Sequence, residues 1–142
     1  MSLPALIRDL DLEKFLKENA NPITLEEQFP EDLPQVMADT EKLKAVLLNL
    51  SKNAIEAMPK GGKLTLRGYQ SGKNVYIEVE DTGVGIPAGV NIFEPFTTSK
   101  ATGWGLGLSI VQQIISAHNG TIEYRSDPGQ GTIFKIRLPA TE

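Results

Sequence analysis

The chain has 142 residues, of which 40% are hydrophobic and 23% are charged, and its net charge is −4. This length and composition are typical of one globular domain with its own core. The acidic balance argues against a general nucleic-acid-binding surface, but it allows a local cationic site for one phosphate group. Cysteine is absent, which excludes disulfides and thiolate sites. With no signal peptide and no long apolar run, the domain is expected in the cytoplasm, whether its parent protein is soluble or membrane-anchored.

The first part of the chain is predicted to contain a connector, a short helix and a strand. Residues 1–10 are interpreted as the connector, and residues 11–142 as the folded domain. A strand is predicted over residues 23–29. Before it, a short amphipathic helix that ends at the Asn-Pro pair is predicted from the apolar positions Leu12, Phe15 and Leu16.

A long helix is the clearest element of the sequence. Asp39 or Thr40 can cap its first turn, and Gly61-Gly62 follows its end. A β-hairpin is predicted after it, over residues 63–70 and 75–81. The apolar stripe of the helix consists of Leu43, Val46, Leu47, Leu50, Ala54, Ala57 and Met58.

Two asparagines lie beside that stripe. Asn49 and Asn53 are about one helical turn apart, so they share a face at the edge of the core. Asparagine is a middling helix former, so two of them on one face need a reason. One interpretation is hydrogen bonding to a neighbouring loop. The other is that their hard, neutral carboxamide oxygens help to hold Mg²⁺ carried by phosphates.

The second strand of the hairpin ends on a carboxylate that faces the core. Burying an unpaired carboxylate costs on the order of several kcal/mol, so a protein donor or a ligand should satisfy Asp81. Gly83 and Gly85 follow, and they carry no side chain that would block close approach to the backbone. The combination predicts a small-molecule pocket. Because side chains alternate between strand faces, Asp81 shares its side of the strand with Val75, Ile77 and Val79.

The stretch from Gly83 to Gly107 has little periodicity, and so long a loop in a compact domain is usually functional or disordered. The run GWGLGL at 103–108 directly precedes a predicted helix, where free N–H groups and the positive helix end form an anion site. Alternating glycines alone are a weak motif, and neither a P-loop nor a Rossmann context is present. A phosphate site of another kind is therefore predicted. Its upstream hydroxyls and cation would come from Thr97, Thr98 and Lys100.

The last part of the chain is predicted to form a helix over residues 106–119 and a hairpin over 121–125 and 132–138. Thr132 lies on the apolar side of the final strand, as Asp81 does on its own strand. Two inward polar groups at strand ends suggest one shared ligand. The order of elements lacks strict βαβ alternation and favours an α+β fold.

Five sequence boxes, in this order, resemble one known family: LLNLSKNAIEAM, DTGVGIP, IFEPFTTSK, GWGLGL and GTIF. They look like the catalytic ATP-binding domain of sensor histidine kinases, and the resemblance covers about residues 23–139. It implies the Bergerat fold, a two-layer sandwich in which about three helices cover a mixed five-stranded sheet and ATP binds between helices and a mobile lid. It also implies that residues 1–10 connect to an upstream helical dimerisation domain.

The resemblance assigns a role to each matching residue. Asp81 would receive the adenine amino group, and Thr132 would support it through water. Asn53 would bind Mg²⁺, while Asn49 and Lys100 would position the phosphates of ATP. The other positions expected to contact nucleotide are Gly83, Gly85, Ile86, Thr97, Thr98, Gly103, Gly105, Leu106, Gly107 and Leu108.

The chain departs from the family pattern in three ways. The spacer between Pro87 and Ile92 is short, which predicts a reduced lid helix. Trp104 stands where a small residue is common, so the behaviour of the lid is open. The phosphate-accepting histidine, which the family carries on the separate dimerisation domain, has no counterpart here. His118 is the only histidine, and near a helix C-terminus it is expected to serve packing or local electrostatics.

Three functions stay open at this point. The first is a histidine kinase domain, with its own dimerisation domain and a response regulator as partners, monomeric alone and homodimeric at full length. The second is a hydrolysing ATPase like those of topoisomerases, mismatch-repair proteins and heat-shock chaperones, which resemble this fold but carry a glutamate base where Asn49 stands. The third is an interaction module that has lost nucleotide binding, against which the intact Asp81 and Asn53 count.

Overall fold

The computed structural model describes residues 1–12, 16, 22–85 and 104–141, with side chains from residue 108 onward in the last segment. These residues form three α-helices and five β-strands. In chain order they are α1 Leu3–Leu10, β1 Ile23–Gln28, α2 Thr40–Glu56, β2 Gly62–Ser71, β3 Asn74–Asp81, α3 Trp104–Ala117, β4 Thr121–Asp127 and β5 Gly131–Pro139.

The five strands form one mixed sheet in the order β1-β2-β3-β5-β4. β1 runs parallel to β2, and the other neighbouring pairs are antiparallel. The helices bury their apolar faces in one core cluster together with one side of the sheet. The predicted α+β two-layer architecture with a mixed five-stranded sheet is therefore confirmed. No helix among the described residues is long and apolar enough to cross a membrane.

Helix α2 forms where its sequence pattern predicts it. Asp39 is the N-cap, and its side chain accepts a hydrogen bond from the Lys42 N–H at 3.1 Å. The stripe from Leu43 to Ala54 is buried, and Leu47 and Leu50 are inaccessible to solvent. Because this helix packs centrally, its two ends are fixed relative to the sheet, and the flank that carries the two asparagines is fixed with them.

The N-terminal residues are more than a connector in this structure. Residues 3–10 form α1, capped by Ser2, and Leu3, Leu6 and Ile7 are buried in the same core as the rest of the domain. The boundary at residue 11 and a link from these residues to an upstream domain both stay predictions. The short helix predicted around Leu12 and Leu16 lies mostly outside the described residues.

Candidate functional site

A row of polar side chains ends the helix-facing side of the sheet. Asp81 on β3 is the register partner of Thr132 on β5, which is in turn the partner of Ser126 on β4. We call these three residues the end row. The row beside them is apolar, with Val79 and Phe134 in the corresponding positions of β3 and β5. The sheet therefore changes from apolar to polar at one edge of the core, below the C-terminal end of α2.

Asp81 is buried without a cationic partner. It is 5% exposed, and one carboxylate oxygen accepts a hydrogen bond from the Gly83 N–H at 2.8 Å. No described cation forms an ion pair with it. Burial raises the pKa of Asp81, and hydrogen bonding from the Gly83 and Thr132 backbones opposes that rise only in part. The carboxylate therefore has acceptor capacity that the described part of the fold leaves unused.

The turn after Asp81 is held by backbone contacts at both sides. A Cβ on Gly83 would lie 2.2 Å from the Ala57 carbonyl oxygen at the end of α2, and one on Gly85 would lie 2.5 Å from the Asp127 carbonyl oxygen. The Val84 N–H also donates to the Ala57 carbonyl at 2.9 Å. Both glycines thus have a structural reason, since they bring the end of α2 and the β4–β5 turn together around Asp81. Their contact with a nucleotide stays a prediction.

The two asparagines of α2 precede the end of the helix that contacts Gly83, and Asn53 is about one helical turn before Ala57. Asn53 is 5% exposed, and its Nδ2 has no hydrogen-bond partner among the described residues, while Asn49 is half-buried. A carboxamide can present either its nitrogen or its oxygen by turning about its last bond. An unpartnered buried amide is unusual and fits a group that meets a ligand. A hard, neutral oxygen at this place fits Mg²⁺ carried by phosphates.

A metal site made only of protein side chains is not found in this part of the molecule. Among the described residues, no three His, Cys, Asp or Glu side chains lie close enough together to hold a metal ion. Mg²⁺ near Asn53 would therefore need phosphate oxygens and water to complete the octahedral shell that it prefers.

Helix α3 begins at Trp104, two residues earlier than its sequence pattern suggests. Gly105, Leu106 and Gly107 belong to its first turn, whose free N–H groups can hold an anion. The side chain of Leu108 is inaccessible to solvent and fills the core. Five predicted site residues lie outside the described residues: Ile86, Thr97, Thr98, Lys100 and Gly103.

His118 is used by the fold itself. Its Nδ1 donates to the Ile114 carbonyl oxygen at 2.7 Å, and its Nε2 accepts from the backbone N–H of Asp39, the N-cap of α2, at 3.0 Å. Both ring nitrogens are therefore occupied in linking α3 to α2. The prediction of a packing role for this histidine is confirmed.

Ser126 also belongs to the end row, although it is not among the site residues predicted from the sequence. Its Oγ lies 2.8 Å from the Thr132 Oγ1 and 3.1 Å from the Gly131 carbonyl oxygen. The alternation that places Thr132 inward also applies to β4, where Ile122 and Tyr124 share the side of Ser126. That pattern could have found the residue, but the first strand of the predicted hairpin ends at residue 125, whereas β4 extends to Asp127.

Comparison with known proteins assigns this arrangement to a family. The model of histidine kinase-, DNA gyrase B- and HSP90-like ATPases matches residues 38–142. The chain belongs to this family. It is also 35% identical to the catalytic domain of histidine kinase ThkA, solved in a nucleotide-free form. The match covers 99% of this chain and 94% of the ThkA domain, with a TM-score of 0.83. Within the family it is therefore a histidine kinase catalytic domain.

Two longer relatives extend the comparison. The sensor histidine kinase ZraS of Escherichia coli K12 is 42% identical over 123 residues, which are 85% of this chain and 26% of ZraS. Full-length ShkA, solved in complex with AMPPNP, is 30% identical, has a TM-score of 0.83, and matches all of this chain with 31% of its own. The chain spans about a quarter of the length of the curated relatives that it matches.

Proposed function

We propose that the chain binds Mg-ATP and delivers its γ-phosphate to a histidine on a dimerisation and phosphotransfer domain, for relay to an aspartate of a response regulator. The observation that carries this proposal is Asp81, a buried carboxylate without a cationic partner at the edge of the core. The ShkA relative was solved with AMPPNP, an ATP analogue, which supports an adenine nucleotide as the ligand.

Each end of the nucleotide has a set of residues suited to it. The Asp81 carboxylate would accept a hydrogen bond from the adenine amino group, with the Gly83 turn closing that side. At the other end, the first turn of α3 would receive phosphate oxygens at its N–H groups. Asn53 would hold Mg²⁺, which neutralises phosphate charge, and Asn49 and Lys100 would orient the phosphates.

The residues favour transfer over hydrolysis. Hydrolysing relatives of this fold use a glutamate base four residues before the metal-binding asparagine, and here that position is Asn49, whose carboxamide cannot take a proton at neutral pH. The only histidine is engaged by Asp39 and Ile114. The chain alone is therefore expected to bind nucleotide without stable phosphorylation of its own histidine.

Calorimetric titration with Mg-ADP and Mg-GDP tests the proposal, with Asp81→Asn as the matched variant. We expect the wild-type chain to prefer ADP, because a carboxylate accepts from the adenine amino group and repels the guanine carbonyl. Asp81→Asn should bind ADP roughly tenfold to a hundredfold more weakly, the range for a hydrogen bond to a charged group. Equal ADP and GDP affinities of the wild-type chain would refute the role of Asp81, and steady phosphate release would restore the hydrolytic alternative.

A further inference from the structure

A cavity of about 590 Å³ lies at the end of the sheet opposite to Asp81. It opens between the β2–β3 turn, the end of β5 and the segment at Pro34. The eight residues of β3, from Asn74 to Asp81, run between the two ends of the sheet, a length of roughly 24 Å at the usual rise of a strand. A ligand in this cavity is therefore too far from Asp81 to share its site.

The cavity carries positive charge without a described counter-ion. Arg137 and Lys73 both belong to its lining, and no described residue of the lining is acidic. Neither cation forms an ion pair with a described carboxylate. Because the whole chain has a net charge of −4, these two cations form a local exception to an acidic surface.

Arg137 is held in place by neutral groups. Its Nε donates to the Thr121 Oγ1 at 3.3 Å, and its Nη1 donates to the Asn74 Oδ1 at 3.1 Å. These two hydrogen bonds orient the half-buried guanidinium but leave its charge uncompensated, and its Nη2 has no hydrogen-bond partner among the described residues. A guanidinium that is already oriented loses little conformational freedom when it binds a carboxylate, which is the anion that its fork geometry matches.

The rest of the lining fits a peptide better than a small inorganic anion. Pro34, Pro139 and Ala140 provide apolar wall beside the cations. Phosphate sites in proteins are commonly built from free backbone N–H groups. Here the N–H groups of Ala140 and Thr141 already donate to carbonyl oxygens of the chain, at 2.9 and 2.8 Å. An oriented guanidinium beside an apolar wall suits a carboxylate that is carried on a larger, partly apolar molecule.

We propose that this cavity is a docking site for an acidic peptide segment of a partner protein. Arg137 donates to a carboxylate of the segment, and the exposed Lys73 adds a weaker attraction. The charges of the cavity and of the segment are complementary, whereas the acidic remainder of the surface repels such a segment. The inference does not depend on nucleotide binding, because the cavity lies at the other end of the sheet.

Titration with two capped tetrapeptides tests the site, one alternating glutamate and leucine and the other alternating glutamine and leucine. The backbone amide NMR signals of Asn74 and Thr141 report binding at the cavity. We expect only the glutamate peptide to shift them. Arg137→Gln should weaken its binding roughly tenfold to a hundredfold, the range for a hydrogen bond to a charged group, and Lys73→Gln at most about fivefold. Lys52→Gln, which removes an exposed charge on α2, is the matched control and should leave the affinity unchanged.

Three results would overturn the proposal. One is equal binding of the two peptides, and another is an affinity of Arg137→Gln no lower than that of Lys52→Gln. The third is inorganic phosphate shifting the same amides at lower concentration than the glutamate peptide, which would make the cavity a small-anion site. A wild-type-like amide spectrum shows that each variant is folded. If the wild-type chain binds no nucleotide, the proposed function fails, while the peptide titration still decides this inference.

Discussion

Two groups of polar side chains on opposite faces of the same sheet differ in how far the fold satisfies them. On the open face, Arg67 donates to Glu78 at 2.6 Å and to Glu80 at 2.7 Å, and these hydrogen bonds raise the pKa of Arg67. The Tyr69 hydroxyl donates to the second oxygen of Glu78 at 3.0 Å, and its ring stacks on Tyr76. We call these five residues the open-face cluster.

In the end row on the helix-facing side, the carboxylate is not paired with an opposite charge among the described residues. Asp81 is more deeply buried than Glu78 or Glu80, yet it faces backbone amides and no described cation. Burial therefore raises the pKa of Asp81, while in the open-face cluster each charge has an opposite charge beside it. Polar side chains alone therefore do not distinguish a binding site from a cluster that only stabilises the fold. A buried polar group with unused hydrogen-bonding capacity is the better sign of a binding site, because leaving it unpaired costs free energy that a bound ligand can recover.

The largest effect is expected for Asn53, which resembles Asp81 in being buried and incompletely partnered among the described residues. Asn53→Ala should weaken Mg-ADP binding roughly tenfold to a hundredfold, because the metal loses an oxygen ligand. The free energy of unfolding without nucleotide should change by no more than about 1 kcal/mol, since no described hydrogen bond of its Nδ2 is lost. Calorimetry and urea unfolding measure the two quantities. Lys52→Ala, exposed on the same helix, is the control and should alter neither.

The next effect should fall on stability alone. Arg67→Met leaves Glu78 and Glu80 together without their counter-ion, so the free energy of unfolding should fall by about 1–2 kcal/mol. Mg-ADP affinity should stay at the wild-type value, because the open face lies away from the end row. Lys63→Met is the matched control, because Lys63 pairs with Glu26 at the surface, where the two side chains are 50% and 41% exposed. Its free energy of unfolding should fall by less than about 1 kcal/mol. A large fall in nucleotide affinity for Arg67→Met would contradict the conclusion that the open-face cluster stabilises the fold without contributing to nucleotide binding.

The smallest effect concerns the pH dependence of stability. Because the pKa of Asp81 is raised in the folded state, the folded chain holds this proton at pH values where the unfolded chain has lost it. Stability from this group is therefore lost as pH rises from the ordinary aspartate pKa through the raised one. Asp81→Asn should be more stable than wild type above that window and equal to it below. Urea unfolding without nucleotide across this range measures the difference.

Most of the fold was accessible from sequence periodicity. The five strands and the two long helices lie within a few residues of their predicted bounds, because alternation and helical stripes report which side of each element is apolar. The packing of the N-terminal helix is less accessible from the sequence, because so short an amphipathic segment gains its stability only from the core that Leu3, Leu6 and Ile7 join. Of the site, Asp81 and Thr132 were identified as inward polar groups, and the family resemblance supplied their roles.

The sequence alone places Asp81 on the apolar face of its strand, because the two-residue period of a strand is local. The neighbour of Asp81 depends on the assembled sheet. The pairing of β3 with β5 brings Thr132 next to Asp81, while Ser126 lies next to Thr132 through the β4–β5 hairpin that the sequence predicts. Strand neighbours are set by packing between segments far apart in the chain, which no local period encodes. The sequence therefore predicts an inward carboxylate at Asp81, and the pairing of β3 with β5 places Thr132 beside it.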